Sequence, residues 1–123
     1  MAVEDFRNTN NTKPVWREKP VQFTWASGVS AAIEKDIVTN GRMRWIIGVT
    51  NNSTNGITYT TTIADADGTV MYTKTDWAEN ATEKVVLTSD TEIFIPSNAT
   101  LTITPSGDPG ASGGTFDATL IGI

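Results

Sequence analysis

The 123-residue sequence contains no cysteine and no histidine. Without cysteine the chain has no disulfide, no thiolate nucleophile and no sulfur ligand for zinc. Without histidine it lacks the commonest general base and the commonest ligand of transition metals. Catalysis would have to rely on carboxylates, lysine, tyrosine, serine or threonine. We therefore expect no enzymatic activity, no cofactor and no metal site.

Long apolar runs and an excess of basic residues are also lacking. The longest apolar run, Trp45 to Val49, is far shorter than the roughly 20 residues that cross a bilayer, so we expect no membrane partner. Residues 1–13 are polar and lack the apolar core of a secretory signal, so we expect no export by that route. The isoelectric point near 4.5 argues against a nucleic-acid partner, which would require a basic face.

Threonine, asparagine and glycine are abundant, whereas only 19% of the residues are charged. Threonine favours strands, and asparagine and glycine favour turns. Alternating apolar and polar residues recur from Val21 onwards, separated by turn signals roughly every 8 to 12 residues. This pattern predicts an all-β fold, an antiparallel β-sandwich or jelly roll of about eight strands.

The stretch from Ala99 to Ile123 predicts two strands of strict alternation joined by a glycine-rich loop, which we interpret as a closing hairpin that organises the fold. A phosphate-binding loop is followed by a helix and usually contains a lysine. Here a strand follows residues 105–114, and they contain no lysine. The loop is therefore expected to be a flexible or contact-making connection, with contacts through Ser106, Asp108 and Pro109.

Tryptophan placement suggests which strands are central. In the predicted strand from Arg42 to Thr50, parity assigns Met43, Trp45, Ile47 and Val49 to the core, with Ile46 on the other face. Trp25 and Trp45 share parity with aliphatic neighbours, so both are expected in the core. Trp16 and Trp77 remain candidates for a binding surface, with a plug at one end of the sandwich as the alternative role for Trp77.

Residues 1–20 are expected to form an extended N-terminal arm, and residues 21–123 the sandwich. The polar run from Asn8 to Thr12 has no apolar periodicity, and Pro14 and Pro20 favour extended backbone. We expect the arm to form a capsid or subunit interface through apolar anchors and cations: Phe6, Val15, Trp16, Lys13, Arg17 and Lys19. Packing of Trp16 against its own domain remains an alternative.

Charge is distributed unevenly along the chain. Residues 1–44 contain seven basic and five acidic side chains, a net charge of +2, whereas residues 45–123 contain two basic and nine acidic side chains, a net charge of −7. Either the basic front docks onto an acidic partner and leaves an acidic body outward, or the clustering is ordinary surface charge.

The acidic motifs are explained by turns and solvated surface rather than by metal binding or acid–base catalysis. In Asp65–Gly68 the glycine is the fourth residue, whereas a calcium-binding EF-hand loop has it at the sixth. The motif therefore predicts a hairpin turn. The acid pairs Glu79 with Glu83 and Asp90 with Glu92 lie in polar turns and are expected to be solvated.

The layout of a polar arm followed by a cysteine-free sandwich rich in threonine, asparagine and glycine resembles the head decoration, or cement, proteins of tailed bacteriophages. The closing pair of strands, from Asn98 to Ile123, is of a kind associated with phage virion proteins, and the resemblance covers most of residues 20–123. It implies a non-enzymatic virion protein, made in the bacterial cytoplasm, that binds the outer capsid surface and stabilises contacts between capsomers. Its implied partners are the major capsid protein and itself, as a trimer or a dimer.

Two other functions remain open. A carbohydrate-binding module or a viral fibre tip would present an exposed pair of aromatic side chains on one sheet or loop end. A minor structural subunit of a tail or shell is not separable from a decoration protein by sequence.

Overall fold

A computed structural model of the protein describes residues 16–88 and 90–123, with the backbone alone for Lys19, Pro20 and Val21. The described residues form nine strands and no helix: β1 (Trp16–Trp25), β2 (Ile33–Asp36), β3 (Gly41–Thr50), β4 (Tyr59–Ala64), β5 (Val70–Trp77), β6 (Thr82–Val86), β7 (Ile93–Ile95), β8 (Thr100–Pro105) and β9 (Gly114–Gly122). No helix suited to crossing a membrane occurs in this part of the chain.

The strands form two antiparallel sheets that pack face to face. The five-stranded sheet has the order β1-β9-β3-β6, and β7 pairs with β3 next to β6. The four-stranded sheet has the order β2-β8-β4-β5. The predicted all-β sandwich is therefore confirmed.

The closing stretch occupies the interior of both sheets. β8 lies between β2 and β4, whereas β9 lies between β1 and β3 in the other sheet. The two strands do not pair with each other, so the expected closing hairpin is wrong. The glycine-rich loop instead carries the chain across the core, and its two flanking strands each hold one sheet together.

An aromatic cluster fills the space between the sheets. Ring centroids are 5.3 Å apart for Trp25 and Tyr59, 5.5 Å for Tyr59 and Phe116, and 5.3 Å for Phe116 and Trp77. These rings need a residue without a side chain beside them, because a Cβ on Gly48 would lie 2.6 Å from Cζ of Phe116. The prediction that Trp25 is in the core is confirmed, but Trp77 is buried there as well and offers no free surface.

A register shift in β3 reverses part of the expected pattern. In the pairing with β9, Ile121 lies opposite Trp45 and Gly122 lies opposite Met43, so Arg44 is an extra residue in β3. Such a bulge puts the residues on either side of it out of phase. Met43 and Ile46 are therefore both buried in the core. Trp45, Ile47 and Val49 were expected inside but lie on the outer face.

The first strand begins inside the expected arm. Trp16 and Arg17 pair with Gly122 and Ile121 of β9, so residues 16–20 are part of the five-stranded sheet. A Cβ on Gly122 would lie 2.3 Å from the Trp16 ring, which shows that this indole packs closely on its own domain. Residues 1–15, and with them the expected anchors Phe6, Lys13 and Val15, lie outside the described residues.

Candidate interaction surface

An apolar strip crosses the outer face of the five-stranded sheet. Trp45, Ile47 and Val49 run along β3, Val86 lies opposite Trp45 on β6, and Phe94 lies opposite Arg42 on β7. Val86 is 58% exposed and Phe94 is 65% exposed. We call Trp45, Ile47, Val49, Val86 and Phe94 the apolar strip. Scattered surface apolar residues are ordinary, but a contiguous row is typical of a contact site.

Strand β9 extends the strip towards the middle of the sheet. Ile121 lies opposite Trp45, and Thr119 lies opposite Ile47, so both side chains are on the outer face. Both side chains are nevertheless buried. The strip therefore borders buried side chains of the central strand β9.

Cations surround the apolar strip. Lys84 lies opposite Ile47, and its Nζ is 5.6 Å from the centre of the Trp45 ring. Arg17 lies opposite Ile121 and is exposed. The Nε atoms of Arg42 and Arg44 each lie 3.3 Å from a carboxylate oxygen of Glu92.

The cations on this face outnumber its acids. Glu92 is shared between two guanidinium groups, so it offsets only one of their two charges. Asp117 lies opposite Val49, where its Oδ1 accepts a hydrogen bond of 2.9 Å from Nε2 of Gln22. The local balance is therefore positive although the whole chain has a net charge of −5.

The opposite face of the sandwich has a different chemistry. The outward residues of β2 are Glu34 and Asp36, which pair with Thr102 and Thr100 of β8. Thr102 lies in turn opposite Thr62 of β4, so this face is a row of hydroxyls flanked by acids. The sandwich is thus polarised, with an apolar and cationic face on one sheet and a hydroxylated and acidic face on the other.

The expected contact loop and the described end of the expected arm, at Trp16 and Arg17, lie at opposite ends of β9. Gly114, at the loop end, pairs with Trp25, whereas Gly122 pairs with Trp16. The structure therefore does not bring Ser106, Asp108 and Pro109 together with Trp16 and Arg17.

Internal hydrogen bonds hold the glycine-rich loop. Oδ1 of Asp108 accepts hydrogen bonds from the backbone N–H groups of Gly110, at 2.9 Å, and Gly28, at 2.8 Å. These two bonds hold the pKa of the Asp108 carboxyl below its ordinary value. Ser106 accepts a 3.0 Å hydrogen bond from the N–H of Thr58, and Pro109 is buried. All three expected contact residues thus help to fix the loop.

Three of the acids that were expected to be solvated have structural roles, and one of them is Glu92, which pairs with Arg42 and Arg44. Oε1 of Glu79 accepts hydrogen bonds from both the N–H of Ser53, at 2.7 Å, and its hydroxyl, at 3.0 Å. Glu83 forms a 3.1 Å ion pair with Lys74, which links the edges of the two sheets. Among residues 16–88 and 90–123 there is no group of three or more acids, histidines or cysteines that would hold a metal ion.

Sequence parity missed the apolar strip for a physical reason. The bulge at Arg44 depends on how β3 pairs with β9, and pairing is not visible in the alternation of a single strand. The signal that was present is the unbroken run from Trp45 to Val49, because a strand with apolar residues at both parities has apolar side chains on both faces.

No protein-family model matches the chain, and no curated protein matches it. Similar solved structures include the Gx strain of infectious bursal disease virus, with 17% identity, a TM-score of 0.45 and coverage of 94% of this chain and 33% of that chain. The VP2 subviral particle of infectious bursal disease virus has 16% identity, a TM-score of 0.49 and coverage of 88% and 31%. The VLP of the extra small virus of the giant freshwater prawn Macrobrachium rosenbergii has 10% identity, a TM-score of 0.37 and coverage of 98% and 94%. The chain thus spans about a third of the length of the first two.

Proposed function

We propose that the chain is a non-enzymatic virion protein that binds the outer surface of a tailed-phage capsid and stabilises contacts between capsomers. The observation that carries the proposal is the polarised sandwich. An apolar strip ringed by cations is suited to an acidic protein surface, and the acidic face then points away from the shell.

The composition of the apolar strip supports a protein partner. Aromatic residues and arginine are enriched in protein interfaces, and an anchor is most effective when a rim of other contacts excludes water around it. Trp45 is the central anchor of the strip, and Arg17, Arg42 and Lys84 form its rim. Rim charges mainly accelerate encounter with a surface of opposite sign.

We further propose that the protein associates with itself, as a trimer or a dimer, on the shell. A symmetric assembly presents several copies of the strip at once, and multivalency then raises the overall affinity without any new type of contact. Sedimentation of the purified protein tests this part, because a monomer at all concentrations would contradict it.

Two valines on opposite faces provide a matched test. Val86 of the apolar strip is 58% exposed and Val70 on the four-stranded sheet is 55% exposed, so glutamate at either position should leave folding similarly intact. Co-sedimentation with capsids that lack the protein should show reduced binding for Val86→Glu and unchanged binding for Val70→Glu. Equal binding of the two variants would contradict docking through this face.

A glycan is the second candidate ligand, because the strip contains two outward aromatic residues, Trp45 and Phe94. Sugar sites stack a ring on such side chains and need hydrogen-bonding groups beside them. Arg42 lies opposite Phe94 and Lys84 lies beside Trp45, so polar groups are present, but Ile47, Val49 and Val86 continue the strip as apolar surface, which favours a protein. Retention on a glycan array that is lost in Trp45→Ala and Phe94→Ala, together with no binding to capsids, would favour the glycan.

A further inference from the structure

We infer that two copies of the chain pair through strand β6, antiparallel about a twofold axis, so that their five-stranded sheets join into one continuous sheet. The inference rests on the self-association proposed above and names its surface and its symmetry. Three observations carry it: the regular edge of β6, the features that oppose pairing at other edges, and the register that the sequence of β6 allows.

Strand β6 presents a regular edge with backbone groups that point away from its own sheet. It lies at the end of the strand order, and no other described strand pairs with its outer side. Its residues pair with β3 without a register shift, and the N–H of Leu87 donates to the carbonyl of Arg44 at 2.7 Å. Residues that bond to the neighbouring strand alternate along an antiparallel ladder. The outward N–H and C=O groups therefore belong to Thr82, Lys84 and Val86.

The edge strands β1, β2 and β5 carry features that oppose pairing. On β1, Pro20 has no N–H to donate, and Nζ of Lys35 donates a 2.6 Å hydrogen bond to the carbonyl of Gln22. Strand β2 contains only four residues. Strand β5 has two register shifts in its pairing with β4. Proline, lysine, short strands and bulges all protect an edge from another chain. Strand β6 has no proline and no bulge, so it is the edge best suited to accept a strand.

The sequence of β6 selects one register for a pair with itself. Residues directly opposite each other across the twofold axis bond only if the backbone groups of both point outward. An axis at Val85 places Lys84 opposite Val86 of the partner subunit, and symmetry repeats this pair on the other side of the axis. An axis at Glu83 or Lys84 would instead place like charges directly opposite each other, which is destabilising. The sequence therefore favours the axis at Val85.

This register places both apolar strips on one side of the joined sheet. Opposite residues of an antiparallel pair have their side chains on the same face, so the outer faces of the two copies point in the same direction. The strips then continue across the axis, with Lys84 of one copy beside Val86 of the partner subunit. A dimer of this kind presents two strips to one shell, which raises the overall affinity without any new type of contact.

Hydrogen exchange tests whether the outward groups of β6 become bonded. A pair of five-residue strands buries less than the roughly 1,200 Å² of total area typical of stable complexes, so the dimer should form reversibly as the concentration rises. We expect the amides of Lys84 and Val86 to become protected with concentration. The amide of Thr24, on β1, should exchange at a constant rate. Unchanged exchange at Lys84 and Val86 in a sample that self-associates would overturn the inference.

Charge variants at Val86 test the register. Val86→Glu places a carboxylate opposite Lys84 of the partner subunit and should raise the dimer association constant several-fold, although it makes the chain more negative. Val86→Lys places a cation there and should lower the constant several-fold, although it reduces the net charge of −5. Val70→Glu and Val70→Lys make the same changes on the other sheet at similar exposure and report the effect of net charge alone. The same response at both positions would overturn the pairing.

Disulfide capture tests the position of the axis. The chain contains no cysteine, so one introduced thiol in each copy is unique. The two copies of Val85 form a non-hydrogen-bonded pair with Cα atoms about 4.5 Å apart, which a disulfide can span. The two copies of Lys84 are diagonal neighbours roughly 7–8 Å apart, beyond an unstrained disulfide. We expect Val85→Cys to form a covalent dimer under mild oxidation and Lys84→Cys not to do so. Equal cross-linking of the two variants would overturn the axis at Val85.

Sedimentation and capsid binding separate the inference from the proposed function. A monomer at all concentrations would overturn both the pairing and the self-association. A trimer would overturn the pairing alone, because a twofold contact closes as a dimer. If the Val85→Cys dimer forms but neither it nor wild type binds capsids, the proposed function fails and the pairing stands.

Discussion

Asp108 illustrates how single polar residues fix the loop end of this sandwich. Its carboxylate accepts hydrogen bonds from the N–H groups of Gly110 and Gly28, and its backbone oxygen accepts one of 2.9 Å from Nδ2 of Asn55. Gly110 has a φ of +90°, a conformation that side chains disfavour. One aspartate thus joins three loops at the end of the core where the chain crosses between the sheets.

Acid should remove this contribution of Asp108 to stability. The two backbone hydrogen bonds hold its pKa below the ordinary value of 3.8, so the folded state favours the ionised form. The stabilisation is therefore complete well above pH 3.8 and is lost as the pH falls through the lower folded value. We expect Asp108→Asn to be less stable than wild type at pH 7, with the difference shrinking below about pH 3.8.

Urea unfolding of wild type and Asp108→Asn between pH 2 and pH 7 measures this difference. Asp67→Asn removes an exposed turn carboxylate of the same type and serves as the control. A difference between Asp108→Asn and wild type that stays constant over the whole range would contradict the proposed role of the ionised carboxylate.

The strands differ in how well their own sequence predicts which side chains face the core. In β4 the residues at alternate positions, Tyr59, Thr61 and Ile63, are all buried, as expected of a strand with one inward face. This strand has no bulge between Thr61 and Ile63, where its pairs with β5 run in register. In β3 the same argument failed after Met43, because the bulge is set by the partner strand.

The fold class was therefore predictable, whereas the candidate surface was not. Turn signals and threonine-rich alternation are local properties, and they were sufficient for an all-β sandwich. The apolar strip depends on a register shift between β3 and β9, and the position of Trp16 depends on its pairing with Gly122. Both are long-range contacts, which no local pattern encodes. Long-range strand pairing also brings the cations of this face together, although Arg17 and Lys84 are far apart in the sequence.

The alternation in β4 provides a test within one element. Thr61 is fully buried, and its hydroxyl accepts a 3.0 Å hydrogen bond from Nε1 of Trp77. Thr61→Val keeps the shape but leaves the buried indole N–H without that acceptor, which should cost about 1–3 kcal/mol of unfolding free energy. Thr62→Val makes the same change on the outer face, where we expect a change within about 0.5 kcal/mol.

Chemical denaturation of the two valine variants gives the comparison. The prediction concerns the difference between neighbours, so effects of valine on strand propensity cancel. Equal losses at the two positions would mean that the hydrogen bond to Trp77 contributes nothing to stability.

At the scale of the whole molecule, folding converts an uneven sequence of charges into two faces. Seven of the nine basic residues precede residue 45, and three of them, Arg17, Arg42 and Arg44, lie beside the apolar strip after folding. Lys84 joins them from a distant part of the chain through its pairing with Ile47. Whether the charge clustering directs docking or is ordinary surface charge becomes testable on this surface.

Association with an acidic shell should depend on the cationic face and on salt. We expect Arg17→Gln with Lys84→Gln to lower the association rate with capsids by roughly tenfold at low ionic strength. The difference from wild type should shrink towards 0.15 M salt, where the screening length is about 8 Å.

Glu34→Gln with Asp36→Asn removes two charges from the opposite face and should raise the rate slightly, because net negative charge opposes approach to an acidic surface. If the cationic face steers the encounter, only the variant Arg17→Gln with Lys84→Gln should slow association, because the charges that matter are those on the face that meets the shell. Equal and opposite effects of the two pairs would mean that net charge alone governs the encounter, and the polarity of the sandwich would then have no part in docking.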